Sequence, residues 1–173
     1  MEKEAKNLFQ SYLVHQGLHL SKLGCRCYEP VKWFPMGNVT AQPMAVTLQE
    51  LYRTMAHMRD ALQTIRKQQQ VLNAPDAALH SELQSAQWAV GGLLSNIGCA
   101  LCLQGTSPTP RATPERPATT NAFQQKLEGC KVLWNYSEFL QALVQGSVRK
   151  EQQAGRDKRK RQKGIKRKQA SRS

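Results

Sequence analysis

Apolar positions along this chain recur in steps of three and four residues in four separate stretches, and they almost nowhere alternate with period two. That periodicity predicts α-helices and argues against strands, so the fold class is all-α. The first stretch covers about residues 2–16. It carries Leu8, Tyr12 and His15, with Phe9 and Leu13 on an adjoining stripe and Gly17 as a stop. The second, about 46–70, has the most regular stripe: Leu48, Leu51, Met55, Met58, Leu62 and Ile65, backed by Gln49, Arg53, Arg59, Gln63 and Arg66 on the opposite face. The third, about 76–104, follows Leu79, Leu83, Ala86, Val90, Leu93, Leu94, Ile97 and Leu101, with Asn73 or Asp76 as its expected cap. Gly91-Gly92 lies inside it at a cost of roughly 1 kcal/mol per glycine relative to alanine, which marks the close approach of another surface. The fourth, about 121–146, carries Phe123, Leu127, Cys130, Leu133, Trp134, Leu140 and Val144.

The connections decide the topology. Gly17 to Ala45 is long and broken by Gly24, Pro30, Pro35, Gly37 and Pro43; Gly105 to Asn121 is long and holds Pro108, Pro110, Pro114 and Pro117. Between them the second and third helices share only the short link Asn73-Ala74-Pro75-Asp76. A short link makes neighbours antiparallel, and a long one can cross the whole bundle. Two crossovers around one short link predict an up-up-down-down four-helix bundle of the long-chain type, whereas ferritin-like bundles have one crossover and paired Glu-x-x-His motifs that are missing here. At 173 residues the chain has room for one such domain, assigned to residues 1–148.

The formal charge is +13, but it is unevenly placed. Residues 149–173 hold twelve Lys and Arg against Glu151 and Asp157, a net of +10, leaving +3 for the rest. Most of the charge lies in the run from Lys158 to Lys168, which has one aliphatic residue and no aromatic. Such a segment has no face to bury, and its charges repel, so it is expected to be a disordered tail. Three functions compete for it: a nuclear or nucleic-acid segment, a heparin-like polyanion contact, or a segment cut at basic sites. No stacking aromatics or nucleic-acid motif accompany it, so no specific nucleic acid is expected. Nor does any run near about 18 consecutive apolar residues suggest a membrane span.

The start, Met1-Glu2-Lys3-Glu4-Ala5-Lys6, is charged and does not read as a signal peptide. Against it stand two glycosylation sequons, at Asn38 and Asn135, and five cysteines including the close pairs Cys25/Cys27 and Cys99/Cys102. Zinc is disfavoured: Cys99-Ala100-Leu101-Cys102 lacks a second pair in register, and His15, His19, His57 and His80 are scattered. No Ser/His/Asp set, phosphate loop or convergent carboxylates is present, so no catalytic activity, metal or cofactor is expected.

The run Asn121-Ala122-Phe123-Gln124-Gln125-Lys126-Leu127-Glu128-Gly129-Cys130-Lys131-Val132-Leu133, followed by Tyr136, resembles the fourth helix of the leukemia inhibitory factor and oncostatin M family of four-helix cytokines. Further matches fall in order along the chain: Lys22-Leu23, Cys27 and Phe34-Pro35 in the first crossover, then Glu50-Leu51-Tyr52-Arg53, Leu72-Asn73, Leu79-His80-Ser81 and Gly92-Leu93-Leu94-Ser95-Asn96-Ile97 with Cys99 and Cys102. The last helix and basic tail are nearer the oncostatin M branch; the second and third helices are nearer the other. The resemblance spans Asn7 to Val148.

It implies a secreted ligand that joins two cell-surface receptor chains and triggers JAK-STAT-type signalling. Phe123 and Lys126 match the positions that engage the leukemia inhibitory factor or oncostatin M receptor. Gly92 and Asn96 match third-helix contacts with the signal-transducing subunit shared by interleukin-six-type cytokines. Cys27 and Cys130 match the crossover-to-last-helix disulfide, with Cys25 as an extra. The family's first helix begins earlier than the residues matching Ala5 to Gln16, and the cysteines that pair with Cys99 and Cys102 have no counterpart, so the N-terminus is expected to be incomplete. The competing reading is an intracellular helical protein, associated with nucleic acid through a nuclear-type tail. It accounts for the start and the basic run but not for the helix order or the last-helix motif.

Overall fold

A computed structural model describes residues 1–19, 26–35, 42–74, 77–109 and 121–170, with the side chains of 147–151 and 153–170 left aside. Four α-helices follow in order among the described residues: α1 (Glu2–His15), α2 (Met44–Leu72), α3 (Ala78–Leu103) and α4 (Ala122–Ala170), with a 3₁₀ turn at Arg26–Tyr28 between α1 and α2. No strand occurs among the described residues. The fold is an all-α four-helix bundle.

Helix direction follows from which ends meet. Tyr12 of α1 bonds the Lys126 carbonyl near the start of α4, and Phe9, a turn earlier, packs on Trp134 with ring centroids 5.4 Å apart. These two helices are therefore antiparallel. Arg66 late in α2 reaches Gln87 early in α3 at 3.4 Å, while Tyr52 early in α2 lies against Gly98 late in α3. That pair is antiparallel too. Gln16, just past α1, bonds Gln69 and Asn73 at the end of α2, so α1 and α2 point the same way. The result is up-up-down-down. The α2/α3 and α1/α4 pairs pack most extensively, α1/α3 and α2/α4 close the square, and α1/α2 and α3/α4 are its diagonals.

The core is built from the stripes read in the sequence. Met55, Met58, Leu62 and Ile65 of α2 meet Leu79, Leu83, Val90, Leu94, Ile97 and Leu101 of α3 and Leu127, Leu133, Tyr136 and Leu140 of α4. Leu48 and Leu51 are only half-buried, because the stripe emerges from the core towards the start of α2. By length and composition α3 is apolar enough to cross a membrane, although polar residues interrupt its apolar positions. Leu79, Leu83, Val90, Leu94, Ile97 and Leu101 of this helix are buried in the core.

Both α1 and α3 end in a glycine with positive φ, Gly17 at 62° and Gly105 at 68°. At each, the residue after the glycine returns its N–H to the third-last helical carbonyl: Leu18 to Leu13, and Thr106 to Leu101. These are Schellman closures, which need the left-handed backbone that glycine adopts at little cost.

Two expectations are corrected. The cap of α3 is neither Asn73 nor a bonded side chain: Ala77 holds that position, Asn73 instead ends α2, and Asp76 lies outside the described residues. Further on, α4 does not stop at Gly146, nor is the basic segment irregular; the backbone stays helical to Ala170. Charge repulsion removes any reason to pack but does not break hydrogen bonds between successive turns. Lys, Arg, Gln, Glu and Ala are strong helix formers, and no proline follows Pro117.

Candidate functional site

The pole where α1 and α2 end and α4 begins gathers the first set of candidate residues. Asn121 starts α4 by accepting the N–H groups of Phe123 at 2.9 Å and Gln124 at 3.3 Å through Oδ1, so this helix has a side-chain cap. Capping fixes the first turn and leaves Phe123 at its second position, 43% exposed, instead of folded back against the helix. Lys126, one turn on, is held at both ends by α1. Its carbonyl accepts from the Tyr12 hydroxyl at 3.1 Å, and its ammonium donates to the Gln16 carbonyl at 3.3 Å. The latter bond satisfies one of the unpaired carbonyls at the end of α1 and places a cation at the negative end of that helix.

Beneath this surface lies a buried polar network. Gln69 is fully buried in α2; its Nε2 donates to the Tyr12 hydroxyl at 3.4 Å, and its Oε1 accepts from Gln16 and Asn73, both at 2.5 Å. Burial holds the Tyr12 phenol well above the ordinary tyrosine range, so it acts as a neutral donor and acceptor. The network joins α1, α2 and α4 under the pole. The hydroxyl of Tyr12 lies directly over Gly129, where an added Cβ would also fall 2.7 Å from the ring Cζ.

Residues 26–35 form a strap along α4. Cys27 and Cys130, both fully buried, are joined by a disulfide spanning 103 positions. Around it Lys131 pairs with Glu29 at 2.7 Å, Tyr28 meets Trp134 edge-on with centroids 4.6 Å apart, and Phe34 packs on Phe139. The Glu29 carboxylate holds the Lys131 ammonium above its ordinary value against the opposing effect of burial. Asn135 completes the strap. Its Nδ2 donates to the carbonyls of Glu29 at 3.0 Å and Lys131 at 2.9 Å, and its Oδ1 accepts from the Val31 N–H. The atom a glycan would need is thus shared between two carbonyls, and Ser137 of the sequon is buried. In the folded chain Asn135 therefore has a structural role, tying the strap to α4. Asn38 and Cys25 lie outside the described residues.

Gly92 and Asn96 lie in the second half of α3, and both are exposed. Among the described residues no atom lies within 4 Å of where a Cβ would be at Gly91 or Gly92, so no described surface of the chain approaches them. Cys99 and Cys102 are free thiols, exposed on the same helix. Among the described residues no His, Cys, Asp and Glu cluster could hold a metal ion.

A model of the LIF / OSM family matches residues 1–146. The chain belongs to that family. It is 27% identical to rat oncostatin-M over 143 residues, covering 78% of this chain and 58% of the relative. To human oncostatin-M it is 28% identical over 159 residues, covering 82% of this chain and 62% of the relative. The chain thus spans about three-fifths of the length of these relatives.

Family membership puts the Leu-Glu-Gly-Cys step of α4 in a physical light. Cys130 closes the strap, and Gly129 makes room for Tyr12. The sequence pointed to Cys130, but it showed Tyr12 only as a stripe residue, Gly129 only within a motif and Asn135 only as a sequon, and it did not single out Gln69. An aromatic facing a helical glycine carries no local signal, because the partners are 117 positions apart in the chain.

Proposed function

We propose that this member of the LIF / OSM family is a secreted cytokine ligand that bridges two receptor chains. The pole bearing Phe123 and Lys126 would engage a leukemia inhibitory factor or oncostatin M receptor chain. The α3 face bearing Gly92 and Asn96 would engage the shared signal-transducing subunit, and pairing the two chains would start JAK-STAT-type signalling. The observation that carries the reading is Phe123. An aromatic side chain stands 43% exposed on the capped first turn of a helix, beside a cation anchored by a neighbouring helix. Rigid aromatic anchors next to a charge are what interface hot spots are made of. The Cys27–Cys130 disulfide supports an oxidising, extracellular compartment.

The test is the double substitution Phe123→Ala with Lys126→Ala. It should weaken binding to immobilised receptor ectodomains at least tenfold while the far-ultraviolet circular dichroism keeps its helical signal. Unchanged binding to both receptor chains would remove this assignment.

The helical extension at 149–170 gives the ligand a polyanion contact. With twelve basic side chains and no aromatic in residues 149–173, its partner is a linear sulfated polysaccharide and not a nucleic-acid base. The full chain should elute from heparin at markedly higher salt than a chain ending at residue 148. Equal elution of the two would place the contact in the bundle.

A further inference from the structure

We infer that Trp88 is the anchor by which the α3 face grips its receptor subunit, in a contact made without charged groups; this rests on the reading of that face above. Trp88 is 70% exposed in the middle of α3, although tryptophan is among the side chains with most to gain from burial. At about 100° per residue, positions 88, 92, 95 and 99 fall within an arc of about 60°. All four residues, Trp88, Gly92, Ser95 and Cys99, are exposed. The positions that follow Trp88 on this arc all carry small side chains, and the space over both Gly91 and Gly92 is open. Leu103, 89% exposed, ends the same stripe. No charged residue occurs between Glu82 and Arg111, in a chain whose charged fraction is 21%. Only 22% of the most apolar stretch of α3 is buried.

An uncharged face that leaves both Trp88 and Leu103 exposed calls for a partner. A second copy is left as an outcome of the experiment below, since residues 1–148 carry only +3 of the chain's +13. A lipid bilayer is opposed by the inner face of α3, because Leu83, Val90, Leu94 and Leu101 cannot leave the core without unmaking it. The stripe is continuous with Gly92 and Asn96, so the occupant is the receptor surface proposed for those two. Its complement is an uncharged patch with an aromatic-sized pocket for the indole and a hydrogen-bonding group for Asn96. Gly92 lets the partner backbone come down beside the ring.

The experiment measures binding of the full chain to the immobilised ectodomain of the shared subunit. Trp88→Ala should weaken it at least tenfold, with helical content and melting temperature unchanged because the ring packs on little of its own chain. Gly92→Leu should weaken it by a similar factor while the melting temperature holds or rises, since the position is open and leucine is the better helix former. If Trp88→Ala binds like the parent chain while Gly92→Leu or Asn96→Ala does not, the anchor is wrong and the face assignment stands. If all three bind like the parent chain, both fall. A dimer in sedimentation that Trp88→Ala dissociates, or a blue shift on phosphatidylcholine vesicles that Trp88→Phe abolishes, would assign the face to a second copy or to lipid and overturn the proposal.

Discussion

Replacing Cys27 and Cys130 together by alanine should lower the unfolding free energy by about 4–5 kcal/mol, read as a fall in the urea midpoint. The bridge closes a loop across 103 positions, so in the chain-entropy picture its absence chiefly enlarges the unfolded ensemble. The folded state has other means of keeping the strap in place: the Lys131–Glu29 ion pair, the three bonds of Asn135 and the Tyr28–Trp134 contact. Geometry at the Phe123 pole should therefore survive in the absence of denaturant, and receptor binding with it. Alanine suits the test because both sulfurs are fully buried and a serine hydroxyl would need a partner there. The slope of unfolding against urea should steepen, because a chain freed of its cross-link exposes more surface. A loss below about 1 kcal/mol would mean that the strap's polar and aromatic contacts, and not the covalent link, hold the crossover to α4.

How far the sequence could foretell this molecule depends on how local each signal is. The α2 stripe repeats every turn, so Met55, Met58, Leu62 and Ile65 announce both the helix and its buried face within ten residues of one another. Gly17 is legible for the same reason, because a left-handed closure needs only the residues on either side. The order of short and long connections gave the topology, since chain length alone decides whether a link can cross the bundle. Asn135 shows the opposite case. Its neighbours spell a sequon, and only the folded strap reveals that both ends of its amide are already in use. The basic segment was misread because lack of a core was taken for lack of a helix; local propensity survives where packing does not. Gly92 had a local signal, but the close approach it led one to expect does not occur among the described residues. Its missing side chain admits nothing from within the bundle and leaves an opening on the outside.

Gly129 is the glycine that does serve internal packing, and Gly129→Ala should cost about 2–3 kcal/mol of stability, at the upper end of typical overpacking. An alanine in mid-helix would normally gain about 1 kcal/mol. Here its methyl would collide with the Tyr12 hydroxyl and lie 2.7 Å from Cζ. A flexible side chain would yield to such a contact at little cost. Tyr12 cannot, because its ring is fully buried and its hydroxyl bonds both the Lys126 carbonyl and Gln69. Displacing it would strand Gln69, which is itself fully buried, and would pull on the α1 end that holds the Lys126 ammonium. The effect should thus reach the receptor pole: binding through Phe123 and Lys126 should weaken in Gly129→Ala even at temperatures where the bundle stays folded. Tyr12→Phe alone should cost about 1–3 kcal/mol through the unpaired groups it leaves. Combined with Gly129→Ala, it should recover part of the loss, since the nearest collision is gone while that with Cζ persists. Thermal and urea unfolding of the two single variants and the double variant form a cycle that measures this coupling. Simple additivity would show that Gly129 is kept for some reason other than the tyrosine above it.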